Sequence, residues 1–183
     1  MLGTAQLTNS YGIANTSSGF SKESAFLLLE NAIKHGITTW DTSPVYGNSE
    51  EVIGQYLKKN NSSVTISTKM PSIVKKYGYN IKSRKLNNII TRNIELSLEM
   101  LNREIIDYYF IHDEQDYITY GNDLINSLYN NINAGKIATI GISVYKPKTA
   151  DLAFKEKKIN LIQLPFNIFD QRFRKHINKA QDF

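Results

Sequence analysis

The 183-residue chain contains no cysteine. That excludes disulfides and every thiolate metal site, and it fits a reducing compartment. The first residues, Met1-Leu2-Gly3-Thr4-Ala5-Gln6, contain no basic stretch followed by an apolar run. No secretory leader is therefore expected, and the expected location is cytoplasmic. The triplets Asn15-Thr16-Ser17 and Asn61-Ser62-Ser63 are accordingly expected to be chance matches to the glycosylation pattern. No apolar stretch approaches the ~18 residues of a membrane span, so no membrane partner is expected. Excess charge is modest: 22 Lys and Arg against 17 Asp and Glu give +5. The lysines are dispersed among asparagines and isoleucines without a dense basic tract, so no nucleic-acid partner is expected either. The chain also lacks a P-loop and a glycine-rich dinucleotide fingerprint. The turn after the first expected strand is Thr8-Asn9-Ser10-Tyr11-Gly12.

What is there suits a single globular domain. Hydrophobic residues make up 41% and charged residues 21%, and a chain of this length can bury a substantial core. Strand and helix signals alternate from the start. Residues 3–6 end a short strand. Ser21 is a good N-cap, and Ala25, Leu28, Leu29, Ala32 and Ile33 recur at helical spacing before Gly36. Strand two is expected at 37–41. A helix capped by Asn48 or Ser49 follows, with Val52, Ile53, Tyr56 and Leu57 on one face. Strands are expected again at 64–69, 105–112, 138–143 and 160–164. The helices between them are marked by Ile90, Ile94, Leu98 and Leu101, by Leu124, Ile125, Leu128 and Ile132, and by a short stretch at 147–157. The segments 71–83, with Tyr77 and Tyr79, and 113–119, with Asp116 and Tyr117, are expected to be long loops. Such alternation implies parallel strands with right-handed crossovers. An open doubly wound sheet and a (β/α)8 barrel compete, and the missing glycine-rich turn favours the barrel.

In either architecture reactive groups gather at the C-terminal ends of strands. Asp41, Lys69, His112, Ser143 and Gln163 each fall at or near such an end, and Tyr46 lies just beyond strand two. Taken singly, each has a structural reading: a solvated lysine, a core histidine, a loop-anchoring aspartate. Together they suit carbonyl reduction. Hydride addition to C=O leaves charge on oxygen that must receive a proton. A tyrosine, with a free pKa of about 10, donates one poorly unless a cation stabilises its phenolate. Lys69 could be that cation, Asp41 could hold it, and His112 could polarise and orient the carbonyl.

The same residues carry a family resemblance. The segment Asp41-Thr42-Ser43-Pro44-Val45-Tyr46-Gly47-Asn48-Ser49-Glu50-Glu51-Val52-Ile53-Gly54 is similar to the aldo/keto reductase signature. That signature runs Asp-Thr-Ala, two residues, Tyr-Gly, one residue, Ser-Glu, and then Gly. Ser67-Thr68-Lys69, Asp107-Tyr108-Tyr109-Phe110-Ile111-His112, Gly141-Ile142-Ser143 and Gln163-Leu164-Pro165-Phe166-Asn167 resemble the family's lysine, histidine, serine and glutamine strands, in order along essentially the whole chain.

The resemblance implies an α/β (β/α)8 TIM barrel of which about six β/α units are present. It implies an oxidoreductase that reduces an aldehyde or ketone to an alcohol by hydride transfer from NAD(P)H. Tyr46 would be the general acid, tuned by Lys69 and Asp41, with His112 orienting the carbonyl. Ser143 and Gln163 would hold the nicotinamide carboxamide, and Gly3, Thr4 and Asp41 would lie against the cofactor. NADP(H) is favoured over NAD(H), the substrate is a small carbonyl compound, and no metal is implied. Val144 departs from the pattern, standing where many members have an asparagine.

The family's seventh and eighth strands follow this region. Residues 1–183 are therefore expected to form one domain incomplete at its C-terminus, with exposed sheet edges open to self-association. The alternative is a catalytically inactive fragment, or an interaction or regulatory protein of the same fold. A metal-dependent barrel enzyme fits less well, because His35, His112 and His176 show no metal-ligand spacing.

Overall fold

The computed structural model describes residues 1–7, 21–60 and 62–180. The 8–12 turn, the 15–17 triplet and Asn61 lie outside the described residues. The elements run β1 (Leu2–Gly3), α1 (Lys22–Lys34), β2 (Thr39–Asp41), α2 (Ser49–Asn60), β3 (Thr65–Met70), α3 (Ile73–Tyr77), α4 (Ser83–Leu101), β4 (Ile106–Ile111), α5 (Glu114–Asn133), β5 (Ile137–Ser143), α6 (Pro147–Ala153), β6 (Leu161–Gln163) and α7 (Arg174–Ala180).

All five strand pairings are parallel, and the strand order is β1-β2-β3-β4-β5-β6. That order separates the two competing architectures. A doubly wound sheet reverses direction at a switch point, whereas a barrel adds each new strand beside the last. Here the order never reverses, and the six strands are those of a partial (β/α)8 barrel. Among the described residues, β1 and β6 each have a strand neighbour on one side only. No described helix is long and apolar enough to cross a membrane.

The helices form as their apolar spacing requires. Ser21 caps α1 by accepting from Ser24 N at 3.2 Å, and Gly36 follows the helix at φ 76°. Ala25, Leu29 and Ala32 of α1 are buried, as are Val52, Ile53, Tyr56 and Leu57 of α2 and Leu86, Ile90, Ile94 and Leu101 of α4. Each buried Val, Leu or Ile among them contributes about 1.5–3 kcal/mol by leaving water. Gly54 sets how closely α2 approaches α4: a Cβ there would stand 2.0 Å from the Met100 carbonyl oxygen. Inside the sheet, Lys69, Phe110 and Gly141 are register partners. A Cβ on Gly141 would lie 2.5 Å from the Phe110 ring, so the glycine makes room for the phenylalanine.

Two expected loops are partly helical. Within 71–83 the chain forms α3, whose N-terminus is capped locally by Ser72, accepting from Lys75 N at 3.3 Å. The stretch 113–119 is not a loop, because α5 begins at Glu114 and is broken at Gly121, with φ 45° and ψ −121°. The break shifts the phase of the helix, so the apolar stripe from Leu124 onward gave no sign of the nearly two turns before it.

Candidate active site

Strand β3 alternates its side chains between two faces. Ser67 and Lys69 point to one face, where both meet Asp41 at the end of β2. Ser67 Oγ donates to Asp41 Oδ1 at 2.8 Å, and Lys69 Nζ donates to Oδ2 at 2.7 Å. The ammonium also donates to the Thr42 carbonyl oxygen at 2.9 Å. Two of its three protons are thus committed, and both carboxylate oxygens of Asp41 are occupied. Lys69 is 2% exposed and Asp41 8%. Burial pushes the lysine below its ordinary pKa, while the charge and hydrogen bond of Asp41 work in the opposite direction.

Tyr46 lies over this pair. Lys69 Nζ is 5.2 Å from the centre of its ring. His112, one residue past β4, meets Tyr46 edge-on, with ring centres 6.3 Å apart and planes at 88°. Burial, and next the Lys69 ammonium, push the His112 imidazole below its ordinary pKa. The neutral ring then has one N–H to donate. Asp41, Tyr46, Lys69 and His112, taken from three different strand ends, are therefore brought together.

On the next strands, Ser143 and Gln163 are register partners, and Ser143 Oγ donates to Gln163 Oε1 at 3.1 Å. The Ser143–Gln163 pair follows one step beyond the Ile111–Ile142 pairing, so it stands level with His112. Gly3 is the register partner of Asp41, is exposed, and a Cβ on it would meet no atom of the described residues within 4 Å. Thr4 is turned inward. It is 1% exposed, its N and Oγ1 both donate to the Asp41 carbonyl oxygen at 2.9 Å, and its Oγ1 accepts from Ser49 at 3.0 Å. With its side chain spent on these bonds, it fixes the strand end beside Asp41.

Sequence reasoning missed the polar support on the far side of β3. Thr68, between Ser67 and Lys69, donates to Glu50 Oε1 at 2.6 Å. Glu50 is 5% exposed, and burial pushes its carboxyl above the ordinary value against the pull of Thr68 and Lys69. Ser49 accepts from Thr42 Oγ1 at 3.1 Å. The Ser-Glu pair of the signature thus ties α2 to β1, β2 and β3. The signal was in the quoted motif, but a carboxylate is ordinarily assigned to the surface.

The aldo/keto reductase family model matches residues 1–181. Aldo-keto reductase YhdN of Bacillus subtilis is 29% identical over 87% of this chain and 48% of its own length. Aldo-keto reductase yakc [NADP(+)] of Schizosaccharomyces pombe is 28% identical over 81% of this chain and 45% of its own. The structure of a glycerol dehydrogenase from Gluconobacter oxydans superposes with a TM-score of 0.73 at 26% identity, over 99% of this chain and 55% of that one. The chain spans about half the length of these curated relatives. With the signature, the strand order and the family model in agreement over nearly its full length, the chain belongs to the aldo/keto reductase family.

Proposed function

We propose that this chain carries the catalytic half of an NAD(P)H-dependent reductase that converts an aldehyde or ketone to an alcohol. The observation that carries the reading is the buried Lys69–Asp41 pair lying beneath the Tyr46 ring, with His112 edge-on to the same ring. A lysine 2% exposed is costly to bury. Its placement under a phenol gives that cost a use.

The nicotinamide end of a cofactor fits the residues present. Among the described residues no partner takes up the Gln163 amide N–H groups, because its bond from Ser143 is made through Oε1. Among the described residues the space beside Gly3 is open, which would let a flat ring approach Asp41 closely. Gln163 and Ser143 would hold the carboxamide, and Gly3 would line the approach. NADP(H) is favoured over NAD(H), in line with the yakc relative. Bound NAD(P)H supplies the hydride. In the chain's own part of the reaction, a His112 ring N–H donates to the carbonyl oxygen and polarises it. Tyr46 then passes its phenolic proton to that oxygen as the C–H bond forms, leaving a phenolate. Lys69 stabilises the phenolate, and Asp41 holds Lys69 charged and in place.

The strand edges at β1 and β6 favour a second feature of this reading, pairing with another chain, since an open edge is a template for further strands. The runner-up is a protein of the same fold without activity. One experiment separates them. NADPH and then NADH are titrated into the chain by nicotinamide fluorescence, and a panel of aldehydes and ketones is turned over, with Tyr46→Phe beside the wild type. Binding is expected in both, with kcat lower by at least ~100-fold in Tyr46→Phe. A folded chain that binds neither cofactor refutes the reductase reading.

A further inference from the structure

Immediately after His112 the chain places three carboxylates within four residues: Asp113, Glu114 and Asp116. Asp113 is the N-cap of its own helix. It caps α5 by accepting from Gln115 N at 3.0 Å, and it pairs with Lys75 Nζ at 2.8 Å. Burial raises its pKa, but the bonds from Lys75, Gln115 and Ser72 outweigh burial and leave it below its ordinary value.

The other two are buried and reach across the mouth of the barrel. Glu114 is 6% exposed, and its Oε2 accepts from Tyr145 N at 3.1 Å and Lys146 N at 3.2 Å. Asp116 is fully buried, with Oδ2 accepting from Ile73 N at 2.9 Å and Oδ1 from Val74 N at 2.7 Å. One carboxylate holds the loop that follows Ser143, and the other holds the segment that follows Lys69 and Met70.

Burying a carboxylate away from water is expensive unless backbone N–H groups take its charge. Ordinary loop capping needs no such groups from 31 and 43 residues away. Gly121, with φ 45°, breaks the 114–120 segment from the rest of α5, so the helix that follows does not set its orientation. The two carboxylates hold it, together with Tyr117 and Tyr120, which lie against the core. The sheet alone sets the strand ends, but it does not set the loops beyond them.

We propose that Glu114 and Asp116 are positioning residues. They form a carboxylate bracket that locks the loops after β3 and β5 to the His112 turn, and so fixes the rim beyond the strand ends that carry Lys69, His112 and Ser143. This rests on the reductase reading for its functional readout. Glu114 governs the cofactor side, because Tyr145 is two residues past Ser143. Asp116 governs the Lys69 side.

The test measures NADPH affinity by nicotinamide fluorescence, and the kcat and KM for one carbonyl substrate, in the full chain and in Glu114→Ala and Glu114→Gln. The glutamine keeps one oxygen able to accept both N–H groups. In Glu114→Ala the Kd for NADPH is expected to rise on the order of tenfold or more, since small misplacements of positioning groups are amplified. The carbonyl KM should change less, and Glu114→Gln should return the Kd to within about threefold of wild type, where a factor of ten is 1.4 kcal/mol. A merely structural role lowers the folded fraction and hence the signal amplitude, not the Kd. An unchanged Kd in Glu114→Ala overturns the proposal.

If Glu114→Ala does not fold, Glu114→Asp, which withdraws the carboxylate by one methylene, takes its place with the same two outcomes. If the wild type binds no cofactor, the reductase reading fails separately, and amide exchange decides the bracket. Protection lost at Tyr145 and Lys146 in Glu114→Ala and kept in Glu114→Gln sustains it. Unchanged protection overturns it.

Discussion

Gly54→Ala is expected to destabilise the chain, although the same change in most helices stabilises it. In an unobstructed helix interior, alanine gains roughly 0.5–1 kcal/mol over glycine through propensity and lower chain entropy in the unfolded state. Gly54 is not unobstructed. Its added methyl would stand 2.0 Å from the Met100 carbonyl oxygen, 2.8 Å from the Leu101 carbonyl carbon and 3.0 Å from the Leu101 Cα. All three are backbone atoms, so no rotamer change relieves them. Carbon–oxygen contacts settle at roughly 3.3–3.6 Å. Helix α4 would have to withdraw by more than about 1 Å, along a seam that includes Ile90, Ile94 and Leu101, each 0% exposed. Overpacking of this kind costs typically ~1–3 kcal/mol, and rigid backbone on the opposing side places the loss at or above the top of that range. The net loss is therefore about 2–3 kcal/mol after the propensity gain. Urea unfolding followed by far-ultraviolet circular dichroism reads it as a lower midpoint with an unchanged slope. A midpoint equal to or above wild type would show that the two helices are not held at the separation described.

Further outcomes follow from the site. Asp41→Asn leaves the Lys69 ammonium, 2% exposed, without its counter-charge; a loss of about 3–5 kcal/mol is expected in the same unfolding assay. Adding Lys69→Met should recover most of it, and additive losses would mean that the two residues do not act as a pair. His112, lowered by burial and by Lys69, is expected to titrate below its ordinary 6.5 in a proton NMR pH series. In that window the unfolded chain binds the proton more readily, so this residue's contribution makes stability rise with pH. Lys69→Met should move the titration upward, and an unmoved midpoint would exclude the ammonium as a cause. Gly3→Val should raise the NADPH Kd on the order of tenfold while leaving the melting temperature nearly unchanged, because the new side chain meets none of the described residues. Equal affinity would place the cofactor elsewhere.

Much of this fold was legible in the sequence because its information is local. The stripe of Ile90, Ile94 and Leu101 names a helix without reference to anything else, and Ser21 and Gly36 mark the ends of α1 from within. The site was legible for a related reason. Parallel strands deliver their last residues to one rim, so Asp41, Lys69, His112, Ser143 and Gln163 could be grouped by position alone. What escaped was set by distant partners. Nothing near Glu50 in sequence announces that Thr68 will take up its carboxylate, and nothing near Asp116 announces Ile73 and Val74. The short helix α3, with its own apolar residues limited to Ile73, Val74 and Tyr77, gains its N-terminal hydrogen bonds from that same aspartate. The inward turn of Thr4 was hidden likewise, since it depends on Ser49.

The uninterrupted strand order has a consequence for how the chain acquires its shape. Among the described residues each strand bonds only to its neighbours along the polypeptide, as in Leu2 with Trp40, Trp40 with Ile66 and Ile142 with Ile162. None of these five pairings has to wait for a segment made much later. On a ribosome, each β/α unit can therefore dock on its predecessor as it emerges, and the sheet can grow vectorially from its first strand. The loop-closure entropy is met in similar small instalments, not in one long-range step.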